Sequence, residues 1–160
     1  MARPKLKPLL ATTLLLTSFT AYSATTGTLL LQGIVLPKLD ITVTPETVSS
    51  GLDLETTKVN LKVAEVREKA NLVLGYKVTI SSANLGNLKR VSGTQVFPYT
   101  LKYNNNAVNL STPAGQAFTY ATALVANNVR DVTISYTGVP AENMVEGTYA
   151  DTVTFTIASN

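Results

Sequence analysis

The sequence contains no cysteine, no histidine and no tryptophan among its 160 residues. The first two absences exclude disulfides, thiol nucleophiles, zinc sites built from Cys and His, Ser-His-Asp triads and imidazole acid–base chemistry. Carboxylate, Lys, Tyr, Ser and Thr are the groups left for catalysis. Charge is scarce as well: 14% of residues are charged, against roughly 25% in an average globular domain. With 45% hydrophobic residues there is ample apolar side chain to bury, which excludes a disordered, charge-extended chain.

A basic surface is also lacking. The formal net charge of +3 arises from 13 Lys and Arg against 10 Asp and Glu. Arg3, Lys5 and Lys7 lie in a leading stretch that contains no acid, and setting these three aside leaves the remainder neutral. A nucleic-acid binder needs a basic stripe on its folded domain. The one adjacent basic pair beyond the leader, Lys89-Arg90, reads as a solvated turn, so no nucleic-acid partner is expected.

Residues 1–23 read as a secretory signal peptide. Arg3, Lys5 and Lys7 form its cationic start, LLATTLLLTSF its apolar middle, and Ala21 and Ser23 supply small side chains for cleavage after Ser23. The apolar run is about half of the ~20 residues that a spanning helix needs, and no later stretch is long enough, so no membrane span is expected. The expected protein is exported, in the periplasm in transit and then at the cell surface or outside the cell.

From Ala24 onward the recurring pattern is period two, dense in Val, Ile, Thr and Tyr, which predicts strands. Residues 39–44 alternate and stop at Pro45. In residues 59–66, Val59, Leu61 and Val63 share a face. That strand runs into a stretch, residues 63–70, with helical propensity, of which the first half is read as strand. Residues 76–81 alternate again. Phe97, Tyr99, Leu101 and Tyr103 fall in phase, with Pro98 marking a start or an edge. Asn104-Asn105-Asn106 is a hairpin-type turn, because Asn tolerates the left-handed conformation. Residues 107–110 can return, and residues 117–125 are ambiguous. Val132, Ile134 and Tyr136 are in phase, as are Val153, Phe155 and Ile157 in a closing run over residues 149–157. Seven or eight short strands, each with one apolar and one polar face, predict an all-β sandwich.

One segment does not fit a closed sandwich. GTLLLQGIVL, at residues 27–36, is the most apolar stretch after the leader. If extended, Leu29, Leu31, Gly33 and Val35 lie on one face and Leu30, Gln32, Ile34 and Leu36 on the other. A free edge this apolar invites aggregation, so it must pair with something. It is either an ordinary first strand of its own domain or a strand donated to a neighbouring copy.

Taken together, GTLLLQGIVL, the following LDITVTP, GYKVTISSANLGNL with PYTLKY, and the ending EGTYADTVTFTIASN resemble bacterial chaperone–usher pilus subunits. The layout is also similar to the secreted domains named after spore coat protein U, of the same superfamily. The resemblance implies an immunoglobulin-like β-sandwich over residues 37–160, incomplete because its last strand is missing, with residues 24–36 as an amino-terminal donor strand. A periplasmic chaperone, and later the next subunit, would fill the resulting groove. The partners so implied are other copies or related subunits, the chaperone and an outer-membrane usher. Leu29, Leu31, Gly33 and Val35 would form the donor face, with Leu36-Pro37-Lys38 as hinge. Val153, Phe155 and Ile157 would form one wall of the acceptor groove. The implied function is that of a structural subunit of a surface fimbria supporting adhesion or biofilm formation. The sequence departs from many such subunits in lacking a disulfide. The alternative is a self-contained secreted β-sandwich that binds a surface glycan or protein as a monomer.

The remaining candidates for chemistry read as structural. Asp53 and Glu55 in GLDLE are expected on one strand face, too few oxygens for calcium. Glu65 and Glu68 flank Arg67 as in ordinary surface ion pairing. Asp151 suits a local turn cap, and Tyr149 a core or corner position that anchors a loop. Asn109-Leu110-Ser111 matches a glycosylation sequon. No phosphate loop and no paired carboxylates placed for glycoside chemistry occur. No enzyme activity, cofactor or metal is expected.

Overall fold

The alternating pattern folds as eleven strands, all paired antiparallel, with two short 3-10 turns and no α-helix among the described residues. The computed structural model describes residues 23–122 and 125–160. Apart from Ser23, the signal peptide assigned to residues 1–23 lies outside the described residues. Residues 23–38 carry no strand, and the segment up to Ile34 is a unit separate from the body, Val35–Asn160.

Within the body, β1 (Leu39–Pro45), β2 (Lys58–Ala70), β9 (Ala126–Tyr136), β6 (Thr100–Tyr103) and β7 (Asn106–Val108) form a five-stranded sheet in that order. A second sheet orders β11 (Val153–Ser159), β3 (Tyr76–Ser82) and β8 (Gln116–Tyr120). A third, smaller one orders β10 (Tyr149–Ala150), β4 (Asn87–Arg90) and β5 (Val96–Pro98). The core lies where the first two sheets meet. The Tyr103 ring of β6 is 5.5 Å from Phe118 of β8 and 6.0 Å from Phe155 of β11. Val66, Tyr76, Val78, Ile80 and Tyr103 are wholly buried there, each large apolar side chain contributing roughly 1.5–3 kcal/mol.

Several elements correct the sequence reading. The run at residues 97–103 is two strands, not one. β5 ends at Pro98, which has no N–H to continue a ladder, and β6 resumes at Thr100 in a different sheet. The phase nonetheless holds, since Phe97, Tyr99, Leu101 and Tyr103 are all buried. β2 continues as strand to Ala70, through the stretch with helical propensity. Its register against β9 shifts between Lys58 and Leu61 and again between Lys62 and Ala64, with Asn60 at φ 52°. Such bulges swap the faces of a strand. Val59 therefore points out, 73% exposed, and burial passes to Ala64, Val66, Glu68 and Ala70. The closing run is likewise divided into β10 and β11. Lys89 and Arg90 belong to β4 rather than to a turn, and the Arg90 Nε donates to the Glu146 carbonyl at 2.6 Å. The Asn104-Asn105 turn forms as expected, with both residues at positive φ between β6 and β7.

Candidate functional site

The two main sheets each end on a strand with one unpaired edge. β1 pairs only with β2, and β11 only with β3, among the described residues. Their Cα atoms approach within 8 Å, yet no ladder joins them. Between these edges opens a cleft of about 350 Å³. Val43 and Pro45 of β1 line one side, Val153 and Phe155 of β11 the other. Its floor reaches core residues, including Leu88, Leu101, Val132 and Ile134. Ser49, Asp151 and Thr152 are its polar members. Since a cavity of about 150 Å³ can hold benzene, this one has room for roughly two aromatic or branched side chains.

Alternation along β11 sets this wall. Val153, Phe155 and Ile157 are half-buried, whereas Thr154 and Thr156 are exposed. Val153 and Phe155 enter the cleft lining; Ile157, on the same face, packs against the core outside it. Phe155 falls short of full burial because the open cleft leaves one side of its ring uncovered. In the amino-terminal segment both faces stand equally free. Leu29 is 83% exposed, Leu30 82%, Leu31 84% and Val35 87%, and a Cβ added at Gly33 would meet open space. The body provides the hinge at residues 36–38 with an anchor. Asn71 accepts from the Lys38 N–H through Oδ1 and donates through Nδ2 to the Leu36 carbonyl at 2.9 Å. The Asn71 N–H donates to the Lys38 carbonyl at 3.1 Å.

Two carboxylates hold more than their sequence positions suggest. Asp151 borders the cleft and joins elements far apart in sequence. Its Oδ1 accepts from the Asn84 and Thr152 N–H groups at 2.9 and 2.8 Å. Its Oδ2 accepts from the Ser82 and Tyr99 hydroxyls, both at 2.6 Å. It is thus more than the local cap expected. Burial, and then the bond to Asp151, push the Tyr99 phenol well above its ordinary range, so it stays a proton donor.

Glu68 is not the surface partner of Arg67 that the sequence suggested. It is fully buried, because the β2 bulges turn it inward. It accepts from the Tyr76 hydroxyl at 2.7 Å and from the Tyr103 hydroxyl, and meets the Arg130 guanidinium at 3.4 Å. Arg130 also lies over the Tyr120 ring, 5.4 Å from its centroid. Burial first, and the Glu68 bond second, raise the Tyr76 phenol to about 12, and Tyr103 moves the same way. Arg67 instead donates to the Asn127 side chain, and Glu65 pairs with Lys62.

The other singled-out residues fall outside both groups. Asp53 and Glu55 lie in a loop, not on a strand. Asp53 accepts from the Glu55 and Thr56 N–H groups and pairs with Lys58 at 3.3 Å. Tyr149 anchors a loop by donating to the Val145 carbonyl at 2.8 Å. Asn109 is exposed, and its side chain accepts from the Ser111 N–H and hydroxyl. No group of acidic residues that could hold a metal occurs among the described residues. The chain matches no family model and no curated protein.

Proposed function

We propose that this chain is a structural subunit of a bacterial surface fimbria, polymerised without covalent chemistry by strand exchange after export. The observation that carries the reading is the apolar cleft between the unpaired edges of β1 and β11. An added strand there would find main-chain donors and acceptors on both sides and apolar pockets beneath. The chain has a matching piece. β1 and β11 are seven residues each, and the exposed segment from Leu29 to Val35 is the same length, about 23 Å when extended. On this reading the body is an incomplete immunoglobulin-like sandwich whose missing strand comes first from a periplasmic chaperone and then from the next copy. The Tyr149 bond to the Val145 carbonyl, four residues upstream, supports that topology, because such sandwiches carry a tyrosine of this kind at a corner. The role is mechanical, not enzymatic. Because the contact runs head to tail and does not close, it propagates as a filament.

Deleting residues 24–36 tests this. The truncated chain should bind a synthetic peptide of residues 24–36 in a 1:1 complex but form no polymers on size exclusion, while the exported full chain does. Polymers of normal length from the truncated chain would refute the reading. A monomeric full chain that ignores the peptide would favour a secreted monomer that binds a surface ligand.

A further inference from the structure

The hinge that precedes β1 is bonded to the body. Asn71 takes three hydrogen bonds with Leu36 and Lys38, two through its side chain and one through its N–H. Lys38 is thereby fixed at one pole of the body, where the β2–β3 turn begins. The same pole is braced by Gly75, at φ +75°, where an added Cβ would lie 1.8 Å from the Tyr120 carbonyl oxygen, and by Asn160, whose amide donates to the Leu74 and Tyr120 carbonyls at 3.0 Å. From this turn two apolar side chains project into solvent: Val73, 80% exposed, and Leu74, 69% exposed.

We infer that this pole, centred on Val73 and Leu74, is a second contact between successive copies, separate from the strand-acceptor cleft. The inference rests on the strand-exchange reading. Its geometric ground is the short tether. Only two residues, Leu36 and Pro37, separate Val35, the last of the donor segment, from the clamped Lys38, and the three residue steps reach about 11 Å at most. A copy that takes up Leu29 to Val35 must therefore lie close against the pole from which the segment leaves. A body pressed there covers Val73 and Leu74, removing from water the apolar surface that the turn presents. Asn71 is the positioning residue: by holding Leu36 and Lys38 it fixes the direction in which the tether departs, and so the angle between neighbours.

The absence of tryptophan permits a direct test. Leu74→Trp, with Val73→Trp as a second reporter, places a single indole at the pole. Acrylamide quenching is then compared between the polymer of the exported full chain and the same variant saturated with the free 24–36 peptide, whose cleft is filled but which has no neighbour. The expected result is a severalfold lower quenching constant and a blue-shifted emission in the polymer alone. A reporter variant that binds the peptide normally yet no longer polymerises also places the pole in the contact. If the polymer forms and both indoles are quenched as in the peptide complex, the pole is free and the inference is overturned, with strand exchange intact. If the unmodified full chain neither polymerises nor binds the peptide, strand exchange itself fails and the pole contact falls with it. Asn71→Ala adds a separate readout. It should leave peptide affinity unchanged and lower the persistence length of the polymers in electron micrographs, and unchanged stiffness would remove the role given to Asn71.

Discussion

Phe155 should be worth more to an occupied cleft than to an empty one. Full truncation of a buried Phe to Ala costs about 3–5 kcal/mol. Phe155 is only half-buried in the body alone: one part of its ring meets Tyr103, at 6.0 Å between centroids, and another faces the cleft. Phe155→Ala should therefore cost the empty body about half that amount, roughly 1.5–2.5 kcal/mol. A strand seated between β1 and β11 would cover the rest of the ring and restore the full cost. The difference must appear as weaker binding. At 1.4 kcal/mol per decade, about 1.5–2.5 kcal/mol lowers affinity for the 24–36 peptide about ten- to sixtyfold.

Two measurements check this: urea unfolding of the body with and without saturating peptide, and titration of the peptide into each variant. Thr154→Ala is the control. Thr154 is exposed on the opposite face of β11, paired with Ser81, and its loss should stay within about 0.5 kcal/mol in both states. Wild-type peptide affinity in Phe155→Ala would refute the assignment of Phe155 to a strand-accepting wall. Equal losses for Thr154→Ala and Phe155→Ala would refute the alternation on which the wall rests.

Glu68→Ala should destabilise the body by about 3–5 kcal/mol, because it strands the Tyr76 and Tyr103 hydroxyls and one face of Arg130, whereas Glu65→Ala, at a partly exposed ion pair with Lys62, should cost under about 1 kcal/mol. Urea midpoints of the two variants decide this, and similar values would mean that Glu68 is not buried as described. Stability should also be lost at alkaline pH. A phenol whose folded value is raised, as for Tyr76 at about 12, binds its proton more tightly in the folded state. Its contribution is intact below the unfolded value of about 10 and is lost as pH rises toward 12. A body as stable at pH 11.5 as at pH 9 would contradict this sign. Finally, Gly33→Ile should leave the unfolding midpoint of the body unchanged, since its Cβ meets open space, yet slow polymerisation by filling the donor face between Leu31 and Val35. Assembly at the wild-type rate, followed by light scattering, would show that Gly33 does not enter the cleft.

Period two made much of the architecture legible. The faces of β6, β9 and β11 followed directly from alternation, and the Asn104-Asn105 turn from the tolerance of Asn for positive φ. What stayed hidden depended on events that leave little trace in composition. The β2 bulges invert the faces of a thirteen-residue strand, so Val59 was expected inside and Glu68 outside. Asn60, which adopts positive φ at the first bulge, occupies a polar position of a regular alternation and so does not announce it in the sequence. Pro98 signalled an edge but could not say that the chain changes sheet there. The cleft lies between the unpaired edges of β1 and β11, which are far apart in sequence, and only the packing of the two sheets brings those edges together.

The body also shows how a fold without cysteine can be held together. Two carboxylates tie together strands that are distant in sequence: Glu68 joins β2 to β3, β6 and β9, and Asp151 joins the start of β11 to the turn after β3 and to Tyr99. Hydrogen bonds to a charged group are worth about 1.5–3 kcal/mol each, so in gross terms the set at either carboxylate exceeds a disulfide at about 2–4 kcal/mol. Desolvation of the buried charge offsets part of that gain. The difference lies in where each device acts. A disulfide restrains the unfolded chain, whereas these carboxylates act only once the sheets have met. Glu68 staples the body from within its buried core, whereas Asp151 lies at the cleft and ties the start of β11 to β3 and to Tyr99, fixing that wall beside the edge with which an entering strand would pair.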